Sequence, residues 1–274
     1  MRRGGGSHLG LDVSAAALRA VAWAAALACC GLPAWAQAPL ATPSGWEAGV
    51  QFSDYRYEEP GIMTLEGTRF GLSGAYTTAA SPSRAFARLE GHWSYGELEY
   101  QGSGVMTGVP DHIFDFRVLA GRDYAAGRVL WSPYVGAGYR YLHNDLRGVT
   151  STGAVGYRRE SNYFYVPLGV TLRMPLAGGW LFAPQIEYDV LVLGTQRSYL
   201  ADTRLGLSDV SNDQLRGRGY RLQLMFERRR WTLVPWIHYW DIEDSEVQPA
   251  SPGVVVYEPA NETREAGVEL RYRF

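Results

Sequence analysis

From Ala266 to Phe274 the chain reads A-G-V-E-L-R-Y-R-F. Ala266, Val268, Leu270, Tyr272 and Phe274 alternate with Gly267, Glu269, Arg271 and Arg273. Alternation with a period of two predicts a β-strand with one apolar and one polar face. The pattern recurs upstream. Phe164, Val166, Leu168, Val170 and Leu172 oppose Tyr163, Tyr165, Pro167, Gly169, Thr171 and Arg173. Likewise Phe182, Ile186, Tyr188, Val190 and Val192 oppose Gln185, Glu187 and Asp189, and Tyr220, Leu222, Leu224 and Phe226 oppose Arg221, Gln223 and Glu227. Ten strands are predicted: 45–56, 63–77, 83–97, 112–123, 129–143, 158–173, 179–194, 213–228, 230–242 and 263–274.

Connection lengths support an up-and-down arrangement. Turns after strands two, four, six and eight are short, and those after the odd-numbered strands are expected to be longer, as in 144–156, 195–212 and 243–262. An even count puts both ends of the barrel on one side and pairs strand one with strand ten, leaving no open edge. Trp236 and Trp240 share a face with His238, which obscures strand nine, so eight or twelve strands stay possible.

The same alternation would suit a soluble barrel turned inside out, with its apolar face inward. The N-terminus argues for a membrane instead. Arg2, Arg3 and Arg19 precede an apolar run from Ala20 to Leu32, then Pro33 and the A-x-A sequence Ala34-Trp35-Ala36. This is the layout of a secretory leader, too short to span a bilayer, with cleavage expected after Ala36. Residues 37–274 are then one barrel domain with no separate periplasmic domain expected. Both cysteines, Cys29 and Cys30, lie in the leader, so disulfides and thiolate metal sites are not expected in residues 37–274. Tyr and Trp are abundant, which suits membrane interfaces. A net charge of −2 gives no nucleic-acid footprint.

A terminal Phe274 with Tyr272 two residues earlier resembles the closing strand of bacterial outer-membrane β-barrels. The resemblance implies that Val268, Leu270, Tyr272 and Phe274 form the signal read by the barrel-assembly machinery during insertion. The chain as a whole resembles the small outer-membrane barrels that include the OmpA-type membrane domain and the OmpX-like and Opa-like proteins. It implies an all-β transmembrane antiparallel barrel in the outer membrane, monomeric, surrounded by lipid and lipopolysaccharide. An external ligand is left unidentified.

The inward face is strongly charged, with both signs represented: Glu47, Arg88, Glu90, His92, Asp115, Arg117, Arg140, Arg173, Glu187, Asp189, Arg221, Glu227, Glu269, Arg271 and Arg273. A barrel of about ten strands is narrow, so these groups are expected to pair across it and close the lumen. The alternative is a small selective pore set by Arg and Glu rings. Inward Gly71, Gly136, Gly138 and Gly169 are expected to make room for bulky neighbours.

For hydrolytic chemistry the candidates are His238 near Asp241, with Asp115 and Asp189 expected on adjacent rims, and His92-Trp93-Ser94 with Glu90 as an orienting group. His238 and Asp241 have opposite parity, and His92 is expected inside the wall, so a protease or lipid A-modifying barrel ranks below a non-enzymatic surface protein. No cofactor motif is present. Asp241–Glu246 could hold a divalent cation or be a solvated loop, and Arg158 and Arg159 could meet lipopolysaccharide phosphates or form rim salt bridges.

Overall fold

Ten long strands form the wall: β1 (Gly45–Glu59), β2 (Met63–Ala79), β3 (Ala85–Gln101), β4 (Val105–Arg122), β5 (Val129–Asp145), β6 (Arg158–Pro175), β7 (Trp180–Ser198), β8 (Gly217–Arg228), β9 (Trp231–Ile242) and β10 (Asn261–Arg273). The computed structural model describes residues 40–80 and 83–274; residues 1–36, expected to be a leader, and the cleavage point expected after Ala36 lie outside the described residues. Each strand pairs antiparallel with the next, and β10 returns to β1 with Val50 opposite Leu270 and Phe52 opposite Val268. The ring is closed, so every wall strand has hydrogen-bonded neighbours on both sides, the condition for crossing lipid as strands.

Several strands run further than the alternation predicted. β1, β3 and β4 extend beyond 45–56, 83–97 and 112–123, so the first two outer connections shrink to residues 60–62 and 102–104. Long outer loops are confined to 146–157, 199–216 and 243–260. The cause is an inversion of facial polarity along the strands. On β3, outward Leu89 and Trp93 give way to exposed Glu97 and Glu99, while inward Glu90 and Ser94 give way to buried Leu98. On β1, outward Val50 and Phe52 give way to Asp54 and Arg56, and inward Gln51 and Ser53 to Tyr55 and Tyr57. Charge outside and oil inside is the pattern of a barrel in water. The strands therefore continue above the bilayer, consistent with lengths well beyond the roughly 9–11 residues one crossing requires.

Outward aromatics mark the two interfaces. At the short-turn end Trp46 packs on Tyr76, Tyr124 on Trp131, and Trp231 on Tyr272. Towards the other end Tyr95 packs on His112, Tyr139 on Phe164, and Tyr188 on Tyr220. The band between them exposes Val50, Leu72, Phe116, Val135, Leu168 and Ile186. Two aromatic girdles around an apolar band are the exterior of a transmembrane barrel.

Inside, glycine and tyrosine alternate between β5 and β6. Gly138 lies opposite Tyr165 and Gly169 opposite Tyr134. A Cβ on Gly138 would fall 2.2 Å from the Tyr165 ring, and one on Gly169 would fall 2.3 Å from the Tyr134 ring. Each ring lies flat across the glycine because nothing projects there. Gly138→Ala should lower unfolding free energy by about 1–3 kcal/mol through overpacking, read as the urea midpoint of the refolded barrel. An unchanged midpoint would show that Tyr165 can move aside freely.

Candidate functional site

The inward residues fall into tiers along the barrel axis. At the short-turn end Glu47 accepts hydrogen bonds from Arg88 (2.7 Å) and Arg273 (2.6 Å). Arg88 also donates to Glu90 (2.6 Å) and Thr77 (2.7 Å). Glu227 lies 3.3 Å from Arg273 and 3.8 Å from Arg173. The segment before β1 tucks beneath this end, where the backbone amide and hydroxyl of Thr42 both bond Asp123 at 2.8 Å. A cavity of about 50 Å³ lies here.

The middle tier is a relay of charges. Arg117 bridges Glu90 and Glu187. Arg221 reaches Glu187 at 3.1 Å and Asp115 at 2.9 Å. Tyr134 donates to Glu187 and Tyr165 to Asp115, each at 2.6 Å. Arg271 donates to Glu269 at 2.7 Å, and Ser73 also donates to Glu269. The His238 ring sits between guanidiniums, with Arg140 3.3 Å from Nδ1 and Arg221 3.4 Å from Nε2; Asp189 is 3.4 Å from Nε2. His92 lines a cavity of about 40 Å³ together with Asp115, Arg140, Arg221 and His238. Arg88, Glu90, His92, Asp115, Arg117, Arg140, Arg173, Glu187, Asp189, Arg221, Glu227, Glu269 and Arg271 are all buried or half-buried on the inward face.

Alternation alone did not bring out a further tier. Arg69 pairs with Asp111, which Asn144 also bonds, and the Arg69 guanidinium stacks 3.6 Å over the Tyr55 ring. Arg69 shares parity with Gly71, so the inward face of β2 was the available signal. Asp111 was hidden because β4 begins earlier than predicted. Leu65, Leu98, Leu142, Tyr163, Trp240 and Ile242 pack into one apolar cluster towards the outer end. It is built from the inverted stretches of the strands.

The catalytic candidates do not assemble at the rim. Asp115 and Asp189 lie deep in the lumen, because β4 and β7 both continue well past them towards the outside. His238 is 4% exposed and Asp189 0%. Asp241 faces outward and pairs with Arg218 at 2.9 Å, as its parity requires. His92 and Ser94 face the lumen, away from lipid. No cluster of metal-ligating side chains occurs among the described residues. At the rim, Arg158 bonds Asp202 at 2.8 Å, and these hydrogen bonds hold the Asp202 carboxyl below the usual range.

The outer mouth holds a cavity of about 340 Å³. Each of the five outer connections contributes to its wall, through Ile62, Ser103, Thr150, Leu200 and Tyr257 among others. Arg159, expected at the rim, points inward instead. It donates to both Glu59 and Glu258 and lies 3.2 Å from the Tyr57 hydroxyl. Burial pushes the Glu258 carboxyl up to about 7; the Arg159 charge opposes this and the Glu59 charge adds to it.

Among solved structures, the outer-membrane protease OmpT of Escherichia coli is similar in fold. It has a TM-score of 0.55 at 10% identity, over 85% of this chain and 98% of that one. Neisserial surface protein A (NspA) matches with a TM-score of 0.34 at 10% identity, over 84% and 98%. The β domain of the Bordetella autotransporter BrkA gives 0.38 at 15% identity, over 85% and 100%. Comparison with curated proteins gives no significant match. Residues 22–191, more than half of the chain, match the family described as outer membrane protein beta-barrel domain, and with its closed barrel and paired girdles this chain is an outer-membrane protein of that family.

Proposed function

We propose that this is a closed, non-enzymatic barrel whose outer mouth is its working surface. The observation that carries the reading is the stacking of the lumen. A relay of charge pairs from Glu90 to Asp115 lies beneath an apolar cluster centred on Leu65, Leu98 and Trp240. The inner cavities among the described residues, about 50, 40 and 10 Å³, have room for a few waters at most. An ion crossing this route would have to part charge pairs that lose far more energy apart than together, then cross an apolar layer. The His238–Asp189 pair is sealed within the same lumen, out of reach of a polymeric or lipid substrate. The larger space opens towards the outer loops, in the size range of ligand sites.

Single-channel recording of the refolded barrel in a planar bilayer tests this. The expected trace is silent for wild type and for Glu187→Ala, with heat-modifiable migration showing that each preparation is folded. Steady, ion-selective steps whose size changes in Glu187→Ala would make the lumen a channel and overturn the reading.

A further inference from the structure

Among the described residues, three that line the mouth cavity carry charge: Glu59, Arg159 and Glu258. Both carboxylates converge on the one guanidinium, and all three residues are at most 4% exposed. The guanidinium Nε has no hydrogen-bond partner among the described residues. One arginine cannot neutralise two carboxylates, so with both ionised the floor of the cavity holds one excess negative charge. The rest of the wall is largely apolar or aromatic, including Met63, Met106, Leu146 and Val256. The floor itself is the top of the apolar cluster, through Met63 and Leu146.

We propose that this cavity is a binding site for a small amphipathic cation, an amine with an aromatic or aliphatic body, whose ammonium group takes the place of the missing second positive charge between Glu59 and Glu258. The inference rests on the reading of the outer mouth as the working surface and names what that surface takes. The cavity suits a small molecule rather than a polymer, since sites for such ligands span about 300–1,000 Å³. Charge selects the ligand here. A carboxylate ligand would place a third anion beside two, whereas an ammonium restores balance in a site where screening is weak. The partial neutrality of Glu258 near pH 7 fits a carboxyl that has no cation of its own. The groups facing it are Arg159, Glu59, Tyr57, Tyr157 and Tyr163. Binding should therefore tighten as the pH rises through neutrality.

The test is calorimetric titration of the folded full-length barrel in detergent with 2-phenylethylamine, 2-phenylethanol and 3-phenylpropionate at pH 8. Empty micelles provide the blank. The amine is expected to bind at least tenfold tighter than the alcohol, and the carboxylate not to bind. Glu258→Gln should remove the amine's advantage while leaving the alcohol unchanged. Val256→Trp, which adds bulk to the cavity lining, should abolish binding of amine and alcohol alike. Equal affinity of amine and alcohol, amine binding unaffected by Glu258→Gln, preference for the carboxylate, or no binding by any probe would each overturn the proposal. Bilayer silence in the same preparation keeps the closed-barrel reading separate, because an open pore would sink that reading whether or not the amine binds.

Discussion

Arg117→Ala should destabilise the barrel by about 3–5 kcal/mol, the cost of removing the cation that two buried carboxylates share. Among the described residues Arg117 alone bonds both Glu90 and Glu187, and its side chain is 1% exposed. Glu187 retains Arg221 and the Tyr134 hydroxyl after the change, and Glu90 retains Arg88, so the network loses its centre and keeps its ends. Urea unfolding in detergent, followed by tryptophan fluorescence, reads the effect. Glu187→Ala frees Arg117 and Arg221 at once and should also cost several kcal/mol. The double variant should lose less than the sum of the two single ones, by about 0.5–3 kcal/mol, because contacting residues in one ionic network are coupled. Strict additivity, or a loss under 1 kcal/mol for Arg117→Ala, would mean that water reaches this tier and screens it. The closed-lumen reading would then lose its main support.

This coupling also explains why the interior is built from arginine. A guanidinium presents donors in a rigid fork and stays charged under all physiological conditions. Arg117 and Arg221 each use that fork to hold two carboxylates from different strands. The pairs tie β3, β4, β7 and β8 together across the lumen, where backbone hydrogen bonds link only neighbours. Glycine on β5 and β6 opens the space in which the Tyr134 and Tyr165 rings extend to the same carboxylates. The polar tier, the aromatic tier and the glycines thus act as one packing solution.

Much of this was legible from alternation. The ring of ten strands, its antiparallel order and the inward face of β3, β6, β7 and β8 follow from a period of two and from turn lengths. So does the opposite facing of His238 and Asp241. Two things were not legible. The first was where the membrane ends. A reading that assigns apolar residues outward throughout ends these strands at 56 and 97, when the pairing runs on to Glu59 and Gln101 and Asp54, Arg56, Glu97 and Glu99 form its wet outer wall. The second was depth along the axis. Parity gives a side chain's face but not its level, so Asp115 and Asp189 were expected at the rim and lie in the middle of the lumen. The outer mouth suffered from both gaps. Glu59 sits at a strand end that alternation placed in a loop, Arg159 lies at the outer end of a predicted strand, and Glu258 comes from a long loop with no periodicity. Only the closed fold brings together three residues separated by about a hundred positions each.

Glu258→Gln should make the barrel more stable than wild type at pH 8 and leave the two alike at pH 4. Burial raises the Glu258 carboxyl from 4.5 in the unfolded chain to about 7 in the folded one. Below pH 4.5 both states hold the proton and the group has no effect on the equilibrium. Between pH 4.5 and 7 the unfolded chain releases its proton while the folded protein keeps it, so stability falls as pH rises. Above pH 7 both states are ionised, and the whole cost of the buried charge, on the order of 3 kcal/mol for a shift of this size, is present. Glutamine keeps the shape and accepts a hydrogen bond from Arg159 without the charge, so the variant should lack this slope. The difference between the wild-type and Glu258→Gln unfolding free energies, measured in urea from pH 4 to 8, isolates the group from every other titrating residue. That difference should grow across pH 4.5–7 and then level off. Addition of 2-phenylethylamine at pH 8 should return wild type towards the variant, because an ammonium in the mouth neutralises the same charge. Parallel pH profiles for the two proteins would show that Glu258 is ionised at neutral pH and already compensated by Arg159.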